Sequence, residues 1–172
     1  MKEKIAIVTD STCDIPTEVI EEYGIHVLPL RIVYERGEFR DNVEISAEEV
    51  YDSLAQEVPS TSLPSPEDIL TLFEQLKSDG FTHVLAIHLS SGLSGTSQLV
   101  RTLAAQVKGM VVEVVDSRSI SMGLGCAVLE AAKKLQENAS FEGIKSHVER
   151  TLANIKVFFV LSTLEYLKKG GR

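Results

Sequence analysis

The segment VLAIHLSSGLSGTS, residues 84–97, joins an apolar run to a loop rich in serine and glycine. Val84 to Ile87 has the length of a strand, and its unbroken apolar character is typical of a strand buried on both faces of a parallel sheet. A helical pattern begins at Ser97, directly after the loop. The segment therefore predicts a strand, a polar loop and a helix in succession.

Similar apolar runs occur on both sides of this segment and alternate with helical patterns. Further strands are predicted at residues 5–8, 25–34, 110–115 and 157–161. Helices are predicted over residues 16–23, 46–54, 65–80, 97–107, 119–137 and 141–155, with a short one from 164. The order β-α-β-α-α-β-α-β-α-α-β-α predicts an α/β fold, a parallel β-sheet flanked by helices on both faces.

Composition limits the classes of protein to which the chain can belong. The 172 residues are 44% hydrophobic and 24% charged, which predicts one globular domain over residues 1–172. The net charge of −8 argues against a nucleic-acid partner. The two distant cysteines and the absence of a signal-peptide pattern favour a reduced, cytoplasmic location. No apolar stretch is long enough to cross a membrane, so we expect at most peripheral membrane contact.

Hydroxyl side chains follow several of the predicted strands. They occur at residues 9–12, 90–97, 116–119 and 162–163, and a further Ser-Thr-Ser cluster occupies 60–62. Ligands of open α/β sheets bind beyond the carboxyl ends of the strands, where these segments should converge. Hydroxyls beside helix N-termini suit an anion, so the pattern predicts a site for a carboxylate or a phosphate. The alternative is that these residues only cap helices and form turns.

Two other kinds of chemistry remain open from the residues alone. A serine hydrolase would use Ser94 and His88, but Gly92-Leu93-Ser94-Gly95 is not a G-x-S-x-G elbow, and His88 lies in an apolar run typical of a core histidine. A binder of a small phosphorylated metabolite would use the loop at 90–97. No spacing of His, Cys, Asp or Glu indicates a metal site, and no phosphate-binding or dinucleotide fingerprint occurs, so no cofactor is predicted.

Five motifs in order resemble the DegV family of bacterial proteins. They are Asp10-Ser11-Thr12-Cys13-Asp14-Ile15-Pro16, Thr61-Ser62-Leu63-Pro64-Ser65, Leu89-Ser90-Ser91-Gly92-Leu93-Ser94-Gly95-Thr96, Asp116-Ser117 and the final segment 164–172. Position 63 departs from the family motif, since it carries Leu where Gln is usual.

The resemblance implies a carrier of a long-chain fatty acid such as palmitate, with no catalytic residues of its own. Some members present the carboxylate to a separate ATP-dependent fatty acid kinase subunit, which forms the acyl phosphate. By the same resemblance, Thr61 and Ser94 hold the carboxylate. The rest of the site consists of Ser62, Ser90, Ser91 and Gly92, and Arg172 docks the kinase.

Family members also continue into a second, C-terminal domain that closes over the acyl chain. We therefore expect residues 1–172 to correspond to the N-terminal domain, and to bind fatty acid weakly or not at all by themselves. Apolar surface that the second domain would cover should favour self-association.

Overall fold

The computed structural model describes residues 3–160 of the chain. The strands are β1 Ile5–Asp10, β2 His26–Leu28, β3 Arg31–Tyr34, β4 Gly37–Arg40, β5 Ser60–Ser62, β6 His83–His88 and β7 Val111–Asp116. The helices are α1 Thr17–Tyr23, α2 Ala47–Ser53, α3 Pro66–Ser78, α4 Thr96–Ala104, α5 Met122–Gln136 and α6 Phe141–Asn154, and a 3₁₀ turn covers Ser11–Cys13.

Four strands form a parallel sheet in the order β2-β1-β6-β7. Strand β1 pairs with β6 from Ile5↔His83 to Val8↔Ala86. Strand β6 pairs with β7 from His83↔Val111 to His88↔Asp116. Because all four strands run the same way, their carboxyl ends meet at one edge of the sheet.

Helices cover both faces of this sheet, which confirms the predicted α/β architecture. Alternate strand residues point to opposite faces. Ile7, Leu85 and Ile87 belong to a buried cluster with residues of α5 and α6. Val8, Val84 and Ala86 belong to a second cluster with residues of α3 and α4. These strands are therefore apolar at almost every position because both of their faces are buried.

The predicted strand over residues 25–34 is in fact two strands that belong to different sheets. Strand β2 joins the parallel sheet, whereas β3 lies in a separate antiparallel sheet of order β4-β3-β5. Pro29, between them, has no N–H to donate to a ladder. The next amide, Leu30 N, donates instead to the hydroxyl of Ser11, 3.1 Å away. Strands β4 and β5 were not predicted from the sequence.

The prediction of a strand over residues 157–161 is wrong for its described part. Residues 157–160 form no strand, and Phe158 and Val160 are 89% and 99% exposed. An apolar run becomes a strand only where a neighbouring strand offers hydrogen bonds, and none lies beside this segment in the part of the chain that the structure describes. Leu161 and the helix predicted from residue 164 lie outside the described residues.

The helix starts follow the capping signals in the sequence. Ser46 and Glu49 form a complete capping box at the start of α2, and Ser65 caps α3 with Pro66 at its first position. Helix α5 begins later than predicted because residues 117–121 form a turn in which Arg118 and Ser121 have positive φ. Within residues 3–160, no helix combines the length and the apolar character needed to cross a membrane.

Candidate ligand-binding site

The serine loop, residues 89–95, connects the carboxyl end of β6 to the N-terminus of α4. Ser90 organises it, because its carbonyl accepts hydrogen bonds from Leu93 N (2.9 Å) and Ser94 N (3.1 Å) and its hydroxyl accepts one from Gly92 N (3.2 Å). Ser90 N itself donates to the carbonyl of Ser119 (2.8 Å). The amides in the first part of the loop therefore have hydrogen-bond partners, and the loop holds a defined shape.

The end of the loop is different, because it leaves hydrogen-bond donors available. Helix α4 starts at Thr96 after Gly95, which has no side chain to cap it. The hydroxyl of Ser94 lies 2.8 Å from that of Thr96 and accepts a hydrogen bond from Thr96 N (3.3 Å). Leu99 N donates to the carbonyl of Gly95 (2.9 Å), whereas the amides of Ser97 and Gln98 have no acceptor among residues 3–160. Such an N-terminus, with its partial positive charge, attracts an anion.

Strand β5 brings a second pair of hydroxyls to the same place. Thr61 pairs with Ile32 of β3, and Ser62 pairs with Arg31. The resulting cavity, the hydroxyl pocket, has a volume of about 230 Å³ and is lined by Leu30, Thr61, Ser62, Leu63, Leu93, Ser94 and Gly95. The structure thus assembles three of the predicted site residues, Thr61, Ser62 and Ser94, from segments far apart in sequence.

The other predicted site residues lie elsewhere on the serine loop. Ser90 lines a separate cavity of about 350 Å³ together with Ser117 and Arg118. Ser91 and Gly92 are exposed and do not line the hydroxyl pocket. Ser90 supports the loop through its hydrogen bonds rather than facing this pocket. Arg172, the predicted docking residue, lies outside the described residues.

An ion pair that sequence reasoning missed fixes the position of β5. Arg31 of β3 forms a hydrogen-bonded ion pair with Asp68 in the first turn of α3. The segment from Ser62 to Ser65 is therefore held at one end by the ladder with β3 and at the other by α3. The only sequence signal was an arginine between apolar residues.

Two carboxylates hold the start of the serine loop from either side of β6. Asp10, at the end of β1, accepts hydrogen bonds from Leu89 N and from Nδ1 of His88, each at 2.9 Å. Asp116, at the end of β7, accepts from Ser91 N at 3.1 Å. Burial alone would raise the pKa of Asp10, but the hydrogen bond and charge interaction with His88, together with the hydrogen bonds from Thr12 and Leu89 N, outweigh burial, and the pKa is lowered. Asp10 is accordingly a carboxylate at neutral pH.

The Ser94–His88 pair of a serine hydrolase is not assembled. His88 is fully buried, and its Nδ1 is bonded to Asp10. Its Nε2 has no hydrogen-bond partner in the part of the chain that the structure describes. The described residues also contain no group of three His, Cys, Asp or Glu side chains placed to hold a metal ion.

An apolar cavity adjoins the small antiparallel sheet. Its volume is about 530 Å³, and its apolar lining comes from Ile32, Val50, Tyr51, Ile120, Val157, Phe158 and Phe159. Ile32 is also the cross-strand partner of Thr61, which lines the hydroxyl pocket. No pattern in the sequence indicated that Val50 and Tyr51 of α2 would lie beside residues 157–159.

Asp41 lines this apolar cavity and should make stability depend on pH. Burial raises the pKa of its carboxyl, and Asp14 and Asp10 add to the rise. Because the pKa of Asp41 is higher in the folded state than the ordinary value of 3.8, ionisation of Asp41 destabilises the fold at a pH above the folded-state pKa. Below about pH 3.8 the carboxyl is protonated in the folded and unfolded states alike, and this destabilisation is absent. We therefore expect Asp41→Asn to raise the free energy of unfolding at pH 7 and to lose this advantage near pH 4. Urea unfolding at both pH values tests this, with the exposed Asp52→Asn as control; an equal effect at both values would contradict it.

Comparison with known proteins agrees with this fold. The family model described as "Uncharacterised protein, DegV family" matches residues 4–172. A DegV domain-containing protein of Clostridium acetobutylicum is 45% identical over 170 residues, which are 99% of this chain and 61% of that protein.

Solved structures of DegV proteins superimpose closely on the chain. The fatty acid binding protein DegV of Bacillus subtilis is 32% identical, with a TM-score of 0.94 over 99% of this chain and 61% of that one. A DegV family protein of Thermus thermophilus, described by its fatty acid binding, is 37% identical, with a TM-score of 0.90 over 98% of this chain and 60% of that one. The chain spans about three fifths of the length of these relatives. On the family match and these identities, the chain belongs to the DegV family.

Proposed function

We propose that this chain binds the carboxylate of a long-chain fatty acid in the hydroxyl pocket. The observation that carries the proposal is the meeting of Ser94 and Gly95, which directly precede α4, with Thr61 and Ser62 in one small cavity. A carboxylate leaving water needs hydrogen-bond donors in place of its hydration. Hydroxyls and backbone amides supply such donors.

The charge of the pocket also fits a weakly charged anion. Of the described residues that line it, none is acidic or basic. The helix N-terminus supplies a partial positive charge, which suits one carboxylate better than a doubly charged phosphate that would need arginine or lysine as well. This favours the carboxylate over a phosphorylated metabolite, although both are anions.

The apolar cavity is the proposed site of the acyl chain. Ile32, the cross-strand partner of Thr61, lines the apolar cavity, whose walls combine large apolar side chains with polar ones that include Asp14 and Asp41. Burying a methylene contributes about 0.8 kcal/mol, so a long chain adds more affinity than the head group. We propose that the tail lies in this cavity, between α2 and residues 157–159.

The names of the Bacillus subtilis and Thermus thermophilus relatives, which describe fatty acid binding, support the proposal. Those proteins are longer, so we propose that residues 1–172 correspond to their first domain and supply one part of the site. We further propose a carrier role without catalysis, in which a separate ATP-dependent kinase acts on the bound carboxylate in the cytoplasm. Arg172 is the proposed docking residue for that kinase.

A titration of ¹⁵N-labelled chain with octanoate, decanoate and dodecanoate tests the binding, since chemical shifts detect weak complexes. We expect the amides of residues 93–98 to shift and the affinity to rise about fourfold with each added methylene. Native mass spectrometry of freshly purified chain should reveal any retained fatty acid.

Each competing function predicts a different result. A binder of phosphorylated metabolites would shift the same amides with inorganic phosphate and would show no dependence on acyl length. A hydrolase would release nitrophenol from nitrophenyl octanoate, and this activity would disappear in Ser94→Ala. Shifts confined to other parts of the chain would show that the hydroxyl pocket is not the site.

A further inference from the structure

The most deeply buried polar pair of the described chain lies directly beneath the serine loop. Asp10 and His88 are both fully buried, and Oδ2 of Asp10 is 2.9 Å from Nδ1 of His88. The pair stands at the carboxyl ends of two central strands, β1 and β6. Neither residue lines the hydroxyl pocket. Burying ionisable side chains lowers the stability of the fold unless hydrogen bonds and charge pairing compensate for their lost hydration.

The acceptor capacity of Asp10 is fully used by donors that surround the loop. Oδ1 accepts from Thr12 N (3.1 Å) and Thr12 Oγ1 (2.6 Å), while Oδ2 accepts from His88 Nδ1 and Leu89 N. Since a carboxylate only accepts, the proton of His88 must be on Nδ1. The Nδ1 donor and the Asp10 acceptor are thus defined by this contact.

A short series of hydrogen bonds connects Asp10 to the hydroxyl pocket. Asp10 holds Leu89 N, which fixes the residue before Ser90. The carbonyl of Ser90 then holds Ser94 N (3.1 Å), and Ser94 presents its hydroxyl to the pocket. A shift of the loop base would therefore move Ser94 relative to Thr61 on β5. Recognition of a carboxylate by fixed donors tolerates displacements of only about 0.5 Å.

We propose that the buried Asp10–His88 pair is a positioning element that sets the serine loop and thereby makes the hydroxyl pocket select a carboxylate over a neutral head group. This inference rests on the proposed function. Asp10 acts through Leu89 and Ser94 and does not touch the ligand. His88 serves by donating from Nδ1, which keeps the carboxylate of Asp10 in place.

Three variants separate positioning from simple stability. Asp10→Asn keeps the shape but presents an NH2 group where two of the four donors need an acceptor. In His88→Asn, the side-chain amide reproduces the Nδ1 donor, whereas His88→Leu has a similar volume and no donor. Asp52→Asn, on the exposed face of α2, is the matched control for the loss of a carboxylate.

The measurement is the ratio of affinities for octanoate and 1-octanol, obtained by chemical-shift titration of the 172-residue chain. We expect this ratio to fall about tenfold in Asp10→Asn and in His88→Leu, and to stay within about threefold of the parent in His88→Asn and Asp52→Asn. The affinity gained per methylene, from octanoate to decanoate, should not change. If His88→Leu does not fold, the affinity ratio of Asp10→Asn alone tests the positioning role.

The remaining outcomes refute either the proposed function or the positioning role of Asp10 and His88. A parent chain with no preference for octanoate over 1-octanol refutes the proposed function, whatever the variants do. A parent with that preference and an Asp10→Asn variant that keeps it refutes the positioning role alone. If Asp10→Asn loses both the preference for octanoate over 1-octanol and the affinity gained per methylene, the substitution has loosened the whole fold. That outcome also refutes the positioning role.

Discussion

The double variant Thr61→Ala plus Ser94→Ala is expected to bind dodecanoate at least about 100-fold more weakly than the parent chain. Each hydroxyl is proposed to donate a hydrogen bond to the carboxylate, and such a bond to a charged group contributes about 1.5–3 kcal/mol. The two residues come from β5 and from the serine loop, so the effects of the single variants should be similar in size. Chemical-shift titration, or isothermal calorimetry where affinity permits, measures the loss.

The control for this variant is a pair of hydroxyls nearby that do not line the pocket. Ser60→Ala and Ser91→Ala lie on the same strand and the same loop, and we expect their affinities to stay within about threefold of the parent. Ser94→Ala also removes the acceptor of Thr96 N, so its free energy of unfolding should fall by about 1 kcal/mol. An unchanged affinity in the double variant would show that the head group binds elsewhere.

Gly125→Ala is expected to lower the free energy of unfolding by about 1–3 kcal/mol, although alanine is the better helix former. Gly125 is buried in α5, and a Cβ at this position would lie 2.4 Å from the carbonyl oxygen of Cys13. That oxygen is backbone in the 3₁₀ turn after β1, so it cannot rotate away. The helix and the turn must separate, which also disturbs the neighbourhood of Asp10. Urea unfolding monitored by circular dichroism measures the change.

Gly143→Ala in α6 is the matched control for this substitution. Gly143 is exposed, and the nearest atom to its added Cβ is the hydroxyl of Ser140 at 3.2 Å. That hydroxyl caps α6 by accepting from Gly143 N (3.3 Å), but it needs to move by only a few tenths of an ångström, so the change should lie within about 1 kcal/mol of zero. If Gly125→Ala were as mild as Gly143→Ala, the contact between α5 and the turn would be looser than the structure indicates.

Local patterns in the sequence were sufficient to predict the parallel sheet and most of its helices. Val84–Ile87 and Ile5–Val8 are apolar at every position because both faces of those strands are covered, and this burial is visible in composition alone. Ser46 and Ser65 marked helix starts because capping depends only on residues three positions away. The prediction that hydroxyl-bearing segments converge beyond the strand ends followed from the direction of the strands.

Long-range pairing could not be predicted in this way. The run over residues 25–34 has no local feature, apart from Pro29, that assigns its two halves to different sheets. Residues 157–160 are as apolar as a true strand, yet they have no strand partner in the described structure. A strand depends on hydrogen bonds to residues distant in sequence, and the sequence pattern does not name them.

The sequence by itself therefore determined the α/β class, the hydroxyl-rich loop after β6 and, through five motifs, the resemblance to the DegV family. Only the tertiary structure decided that Thr61 and Ser62 stand opposite Ser94, because the pairing of β5 with β3 places them there. It also decided that Ser90, Ser91 and Gly92 lie away from that pocket and that Asp10 and His88 support the loop from below. Residue type is local information, whereas the direction and neighbours of a side chain depend on how distant segments pack.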